Sequence, residues 1–262
     1  MDMTRNPVGF FDSGLGGISV LRQTVKMLPM ENCLYFGDSL HAPYGVRTPE
    51  EVTALTLGAC RLLVDSGCKA LVIACNTATS AAIGTLRQTF SDLPVIGIEP
   101  AIKPAAEKFR GGRILMLATP MTVREEKFQR LRAQYADLAD IVPVACPGLM
   151  EFVEQGILCA EPVEAYLRER LSPYLEQPPD AVVLGCTHYP FLRGAIRAVI
   201  GSRPEIIDGS TGVAMQLRRK LSEKHWLNPG PQAGSVEFRN SMENAEMLEL
   251  SEALLNYEIP AE

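Results

Sequence analysis

The 262-residue chain has little of what metal, redox and secreted proteins rely on. It has no Cys-x-x-Cys, and three histidines are too few for a His-rich metal centre. A structural zinc site and a dithiol redox motif are therefore not expected, and no metal is. The seven cysteines are odd in number and follow no framework spacing, which reads as reduced thiols and a cytoplasmic setting. No apolar run is long enough to span a membrane, and residues 1–9 lack the apolar segment of a signal peptide. A net charge of −6 spread over the chain argues against nucleic acid as the main partner. No lysine stands at a strand end beside the polar motifs, which counts against Schiff-base chemistry with pyridoxal phosphate.

What is present is an apolar content of 47%, enough for a well-buried core, in alternating strand and helix patterns. Strands are expected at Pro7–Asp12, Cys33–Asp38, a run from Ala70, Pro94–Pro100, Arg113–Thr119, Ile141–Cys146, a run from Asp180, Pro204–Asp208 and Ser235–Arg239. Helices are expected over Ile18–Met27, from Thr48 to about Ser66, and over Ala78–Phe90, Val123–Tyr135, Leu149–Gln155 and Pro162–Leu175. Two more are expected from Gly209 onward and over Glu243–Leu255. Thr48-Pro-Glu-Glu51 carries the signature of a capping box with Pro in the first turn.

Two stretches organise the rest. Ala70-Leu-Val-Ile-Ala-Cys-Asn-Thr-Ala-Thr79 is an apolar run that breaks into Cys75, Asn76 and Thr77. Asp180-Ala-Val-Val-Leu-Gly-Cys-Thr-His-Tyr-Pro190 breaks in the same way into Cys186, Thr187 and His188. Each thiol stands where a buried parallel strand gives way to a helix, the usual ligand position in open α/β sheets. The spacing from Asp12 to Cys75 matches that from Thr119 to Cys186 within a helical turn, so the chain reads as two similar α/β lobes. The expected domains are 1–98 with 211–262, carrying Cys75, and 99–210, carrying Cys186, with a cleft between them as the ligand site.

A strand-end cysteine is often only a small buried hydrophobe. These two keep different company. Hydroxyls, an amide and helix-start N–H groups flank both, and the amides of a helix N-terminus lower a thiol pKa. Asp12, a carboxylate at a strand tip before the glycine-rich Ser13–Gly17, is the expected proton partner of Cys75, and His188 that of Cys186. The Asp12–Gly17 turn lacks the lysine of a P-loop and the spacing of a dinucleotide fingerprint. Two opposed bases suit removal of a proton from one face of a carbon and its return to the other, which is racemisation or epimerisation. Asn76, Thr77, Thr187 and helix-start amides are then placed to hold a carboxylate and the developing charge.

With these residues in view, the chain resembles the cofactor-independent Asp/Glu racemase superfamily, in its glutamate-racemising branch. The resemblance rests on Phe11-Asp12-Ser13-Gly14-x-Gly16-Gly17, Gly37-Asp38 with Pro43-Tyr44-Gly45, Ala74-Cys75-Asn76-Thr77-Ala78-Thr79, and Gly97-x-Glu99-Pro100. It rests also on Ala118-Thr119-x-x-Thr122 and Gly185-Cys186-Thr187-His188-Tyr189-Pro190. It implies two pseudo-symmetric α/β domains with the site between them, no cofactor, and interconversion of L- and D-glutamate for peptidoglycan synthesis. It implies Cys75 as the base toward D-glutamate and Cys186 toward L-glutamate. Substrate contacts carry over to Asp12, Ser13, Pro43, Tyr44, Gly45, Asn76, Thr77, Thr119, Thr122, Thr187 and His188. Glu154 matches a further helper carboxylate, although Gly148–Phe152 before it departs from the family pattern, and the tail from Gln232 matches loosely. The resemblance also implies a homodimer, with no activation by a peptidoglycan precursor expected.

Three other functions compete with this one. A racemase for aspartate or another amino-acid-like substrate shares the chemistry, but the Cys-Asn-Thr-Ala-Thr and Cys-Thr-His-Tyr-Pro pair is the glutamate pattern. A two-lobed periplasmic binding protein would need a signal peptide and no paired thiols. Thiol oxidoreduction would want a resolving cysteine.

Overall fold

A computed structural model of the chain describes residues 2–124 and 126–259. Residues 1 and 260–262, at the ends of the expected first domain, and residue 125, inside the helix expected over 123–135, lie outside the described residues. The described residues divide into two units. The first runs to Ile98 and resumes over Ser210–Asn256, and the second comprises Glu99–Gly209 with the chain from Tyr257.

In the first unit, β1 (Val8–Asp12), α1 (Ile18–Met27), β2 (Cys33–Gly37), α2 (Pro49–Asp65), β3 (Ala70–Ile73), α3 (Asn76–Thr89) and β4 (Val95–Gly97) alternate along the chain. Every residue of β1 and β3 is buried, as expected of strands covered on both faces. Phe11, Leu34, Leu71 and Ile73 of the sheet meet Val52, Leu63 and Leu86 of α2 and α3 in one apolar cluster. The capping box expected at Thr48 is present: its Oγ1 accepts from Glu51 N at 3.3 Å, and Glu51 Oε2 accepts from Thr48 N at 2.9 Å.

In the second unit, α4 (Ile102–Lys108), β5 (Arg113–Ala118), α5 (Pro120–Arg124), α6 (Glu126–Gln134), β6 (Asp140–Ala145), α7 (Leu149–Glu154), α8 (Glu161–Leu175), β7 (Ala181–Leu184), α9 (Arg193–Ile200) and β8 (Glu205–Asp208) follow. The chain then returns to the first unit with α10 (Ser210–Glu223), β9 (Val236–Asn240) and α11 (Ala245–Asn256). Helices α4 and α9 stand outside the elements that the sequence predicts. Both are short, and Pro104 inside α4 and the Tyr189–Leu192 3-10 turn before α9 mask their periodicity. Helix α3 opens at Asn76 rather than at Ala78, because the Cys75 side chain serves as its N-cap.

The two sheets share one plan. The first is ordered β4-β3-β1-β2-β9 and the second, read from its other edge, β8-β7-β5-β6, with all pairings parallel. In each, the unit's first strand is central, its second lies on one side and its third on the other. The chain thus reverses direction across the sheet between the first and third strands, and open α/β sheets bind ligands at the carboxyl ends flanking such a switch. Asp12 and Cys75 sit there in the first unit, and Thr119 and Cys186 in the second. Among the described residues strand β9 has no counterpart in the second sheet. The loosely matching tail thus becomes a fifth strand on the edge of β2.

Candidate active site

The Cys75 group is built on three strand ends. Cys75 is 6% exposed, and its Sγ caps α3, accepting from Ala78 N at 3.4 Å. Ser13 Oγ lies 3.4 Å from the same sulfur. Asp12 is fully buried, and its Oδ1 accepts from Gly14 N at 2.9 Å, so the carboxylate shapes the turn after β1. The close approach depends on Gly17, where a Cβ would fall 2.7 Å from Asp12 Cβ and 2.8 Å from Ala74 Cβ. Thr77 is buried, and Asn76 Oδ1 is buried with no hydrogen-bond partner among the described residues.

Pro43, Tyr44 and Gly45 lie at the start of a 3-10 turn, Tyr44–Val46. Tyr44 is buried against Phe11, with ring centroids 6.2 Å apart, and donates its phenol proton to Asp38 Oδ2 at 2.6 Å. Burial first, then that bond, then the charges of Asp38, Cys75 and Asp12 hold the phenol well above its ordinary pKa, so it remains a donor. Asp38 Oδ1 also pairs with His41 Nδ1 at 2.7 Å. Neither Asp38 nor His41 is among the site residues that the sequence predicts. Asp38 directly follows β2 as Asp12 ends β1, so the same rule would have found it.

The Cys186 group is wired differently. Cys186 Sγ lies 3.5 Å from His188 Nδ1, and His188 Nε2 lies 2.6 Å from Glu154 Oε1. Glu154 ends α7, so the divergent segment before it still brings this carboxylate to the imidazole. Burial alone would push the His188 pKa down. Its bonds to Cys186 and Glu154, and their charges, outweigh that and raise it well above the ordinary 6.5. Thr187 is buried, and Thr119 and Thr122 pair through their hydroxyls at 3.0 Å. Just past the central strand of this unit, two hydroxyls stand where the first unit has the Asp12 carboxylate.

Within each unit, then, the sequence-derived residues gather at one sheet end around a buried thiol. Among the described residues no group of three or more His, Cys, Asp or Glu side chains is placed to hold a metal ion, and no helix is long and apolar enough to cross a membrane. The family described as Asp/Glu/Hydantoin racemase matches residues 15–217. The chain belongs to that racemase family. It is 46% identical to the glutamate racemase of Clostridium perfringens, over 97% of this chain and 98% of that one. It is 48% identical to that of Clostridium novyi, over 97% of this chain and 99% of the relative. A solved glutamate racemase from Francisella tularensis in complex with D-glutamate superposes with a TM-score of 0.83 at 25% identity, covering 99% of this chain and 96% of that structure.

Proposed function

We propose that the chain racemises glutamate, with Cys75 and Cys186 as bases on opposite faces of the α-carbon. The observation that carries this reading is the placement of the two thiols at the carboxyl end of the same strand in two sheets of the same order. From L-glutamate, the Cys186 thiolate takes the α-proton and the Cys75 thiol supplies one from the other side. From D-glutamate the roles exchange. When Cys186 acts as base, the protonated His188 pairs with its thiolate, and Glu154 holds the imidazole in line. On the Cys75 side, Ser13 and the carboxylate of Asp12 are the proton-handling neighbours.

The remaining residues fit a doubly anionic amino acid. A buried acceptor without a partner is costly, about 1–3 kcal/mol, so Asn76 Oδ1 suits the substrate ammonium. The hydroxyls of Ser13, Thr77, Thr119, Thr122 and Thr187 and the amides at the start of α3 suit its carboxylates and the charge that develops at the α-carbon. Pro43, Tyr44 and Gly45 present a loop edge to the same ligand. The reading needs neither pyridoxal phosphate nor a metal, places the protein in the cytoplasm as a homodimer, and makes D-glutamate for peptidoglycan its product.

Deuterium incorporation tests it. In D2O, early conversion of L-glutamate should give D-glutamate labelled at the α-carbon while the remaining L-glutamate stays unlabelled, with the converse from D-glutamate. Equal labelling of substrate and product would show a single base. Aspartate run in parallel should racemise far more slowly, and equal rates would move the substrate assignment.

A further inference from the structure

Strand β9 is what the first sheet has and the second lacks, and its carboxyl end lies beside the loop that follows β2. Ser241 N donates to Gly37 O at 2.9 Å, which carries the pairing one residue past the strand. Asn240 Nδ2 donates to Ser39 Oγ at 2.9 Å, and Ser241 Oγ accepts from Leu40 N at 3.0 Å. Asn240 is 6% exposed and its Oδ1 accepts from Met242 N at 2.9 Å, so its amide is held from both sides. Ser39 and Leu40 open the short 3-10 turn Ser39–His41. Next come the His41–Asp38 pair and the Tyr44–Asp38 bond, and Arg47 Nε donates to His41 O at 2.7 Å. The loop from Asp38 to Arg47 is therefore stapled at its start by the tail and by the Asp38–His41 pair, and at its far side by the Arg47 bond to the His41 carbonyl. Gly37 allows no Cβ there, since one would lie 2.6 Å from Gly14 O, so the end of β2 and the Asp12 turn are packed backbone to backbone.

We infer that Asn240 and Ser241 are positioning residues for the substrate loop Pro43–Gly45, so that the tail strand takes part in binding the amino acid. This inference rests on the reading that the Pro43–Gly45 loop meets the substrate. Loss of one hydrogen bond in the staple lets the loop sample other positions, and the bound fraction falls with the population of the competent one. Because the loop contacts the substrate without exchanging a proton, the effect falls on KM for both enantiomers and not on kcat.

The experiment compares wild type, Ser241→Ala, Ser241→Thr and Asn240→Ala by steady-state kinetics in both directions, by thermal melting, and by amide hydrogen exchange with and without racemic glutamate. In wild type, glutamate should protect residues 39–47 from exchange. Absence of that protection would remove the substrate-loop reading, and the inference with it. With protection present, Ser241→Ala and Asn240→Ala should raise KM by about fivefold, the size expected for one lost hydrogen bond, with kcat within about twofold. Exchange at residues 39–47 should speed up, and Ser241→Thr, which keeps the hydroxyl, should restore both readouts. If the variants lower the melting temperature but keep wild-type KM and exchange in the loop, the strand is only structural. Variants that match wild type in every readout would overturn the inference as well.

Discussion

Cys75 and Cys186 occupy equivalent strand ends, yet the first meets a hydroxyl and the second an imidazole. Ser13 Oγ stands 3.4 Å from Cys75, with Asp12 on the adjacent strand end; His188 stands 3.5 Å from Cys186, with Glu154 behind it. The strand order that places each thiol is the same in both units, whereas the groups that handle its proton differ. Topology alone puts a thiol at a switch point. The residues on the next loop then decide what kind of base it becomes. Thr119 in place of Asp12 points the same way: one central strand ends in a carboxylate and the other is followed by a hydroxyl. A substrate whose two enantiomers are equal in energy can therefore be served by two unlike halves.

The largest effect should come from removing either thiol. Cys75→Ser and Cys186→Ser should each lower racemisation by at least about 10³-fold, since a serine hydroxyl in the same place is a far weaker base at neutral pH. Each variant should still fold, as one sulfur is exchanged for oxygen. Cys33 and Cys60 are buried well away from these motifs in sequence, and burial pushes both thiols up to about 12, which suits inert core residues. Their change to Ala, and that of exposed Cys159, should leave activity within about threefold if the fold holds. Full activity in either Cys75→Ser or Cys186→Ser would end the equivalence of the two units.

The partners should break the symmetry more gently. Asp12→Asn and His188→Asn should each cost about a hundredfold in kcat/KM. The equilibrium constant between enantiomers is unity, so that loss is the same in both directions and cannot say which half was damaged. Substrate α-deuterium isotope effects can. Damage to the Cys75 half makes proton removal from D-glutamate more rate-limiting, so its isotope effect on kcat/KM rises while that of L-glutamate falls toward unity. Damage to the Cys186 half does the reverse. Asp12→Asn should give the first pattern and His188→Asn the second. Identical changes in both directions for both variants would show that these residues act on binding or structure. Glu154→Gln should follow His188→Asn in direction at a smaller cost, about tenfold, because it removes the support of the imidazole and not the imidazole itself.

Much of this was legible before the fold. The apolar runs ending in Cys75 and Cys186 are local signals, and a buried parallel strand needs nothing else to be read. The Thr48–Glu51 capping box is equally local. The sheet order is not, since it depends on which strands pair across the chain, and the equivalence of β3 and β7 emerges only from that order. Ser13 and Cys75 meet across 62 positions, and Glu154 and His188 across 34, so sequence spacing could suggest neither contact. Beside the Asp12 that the sequence predicts as partner of Cys75, the structure adds the Ser13 hydroxyl at the sulfur, while the Asp12 carboxylate accepts from the Gly14 amide. Asp38 stands in a quoted motif, but its bonds to Tyr44 and His41 follow from the fold of the turn and not from its composition. The tail looked loosely matched because an edge strand with alternating exposure carries a weak apolar signal.

The smallest expected effect separates the halves through stability. The His188 pKa is raised in the folded protein, so the fold binds that proton more tightly than the unfolded chain does. Stability from this source is fully present below the unfolded value near 6.5 and is lost as pH rises through the folded value. Glu154 is one cause of the raised pKa, so Glu154→Gln should lower it and remove part of that stability. The urea midpoint of Glu154→Gln should therefore fall below wild type at about pH 6, by the equivalent of roughly 1–3 kcal/mol, and the gap should narrow as pH rises through the raised folded value. Ser13→Ala removes a contact outside the His188–Glu154 pair, so any gap it opens should not follow the His188 titration over the same range. A pH-independent gap for Glu154→Gln would mean that the carboxylate packs against His188 without holding its proton, and the Cys186 half would then have no more of a charge relay than the Cys75 half.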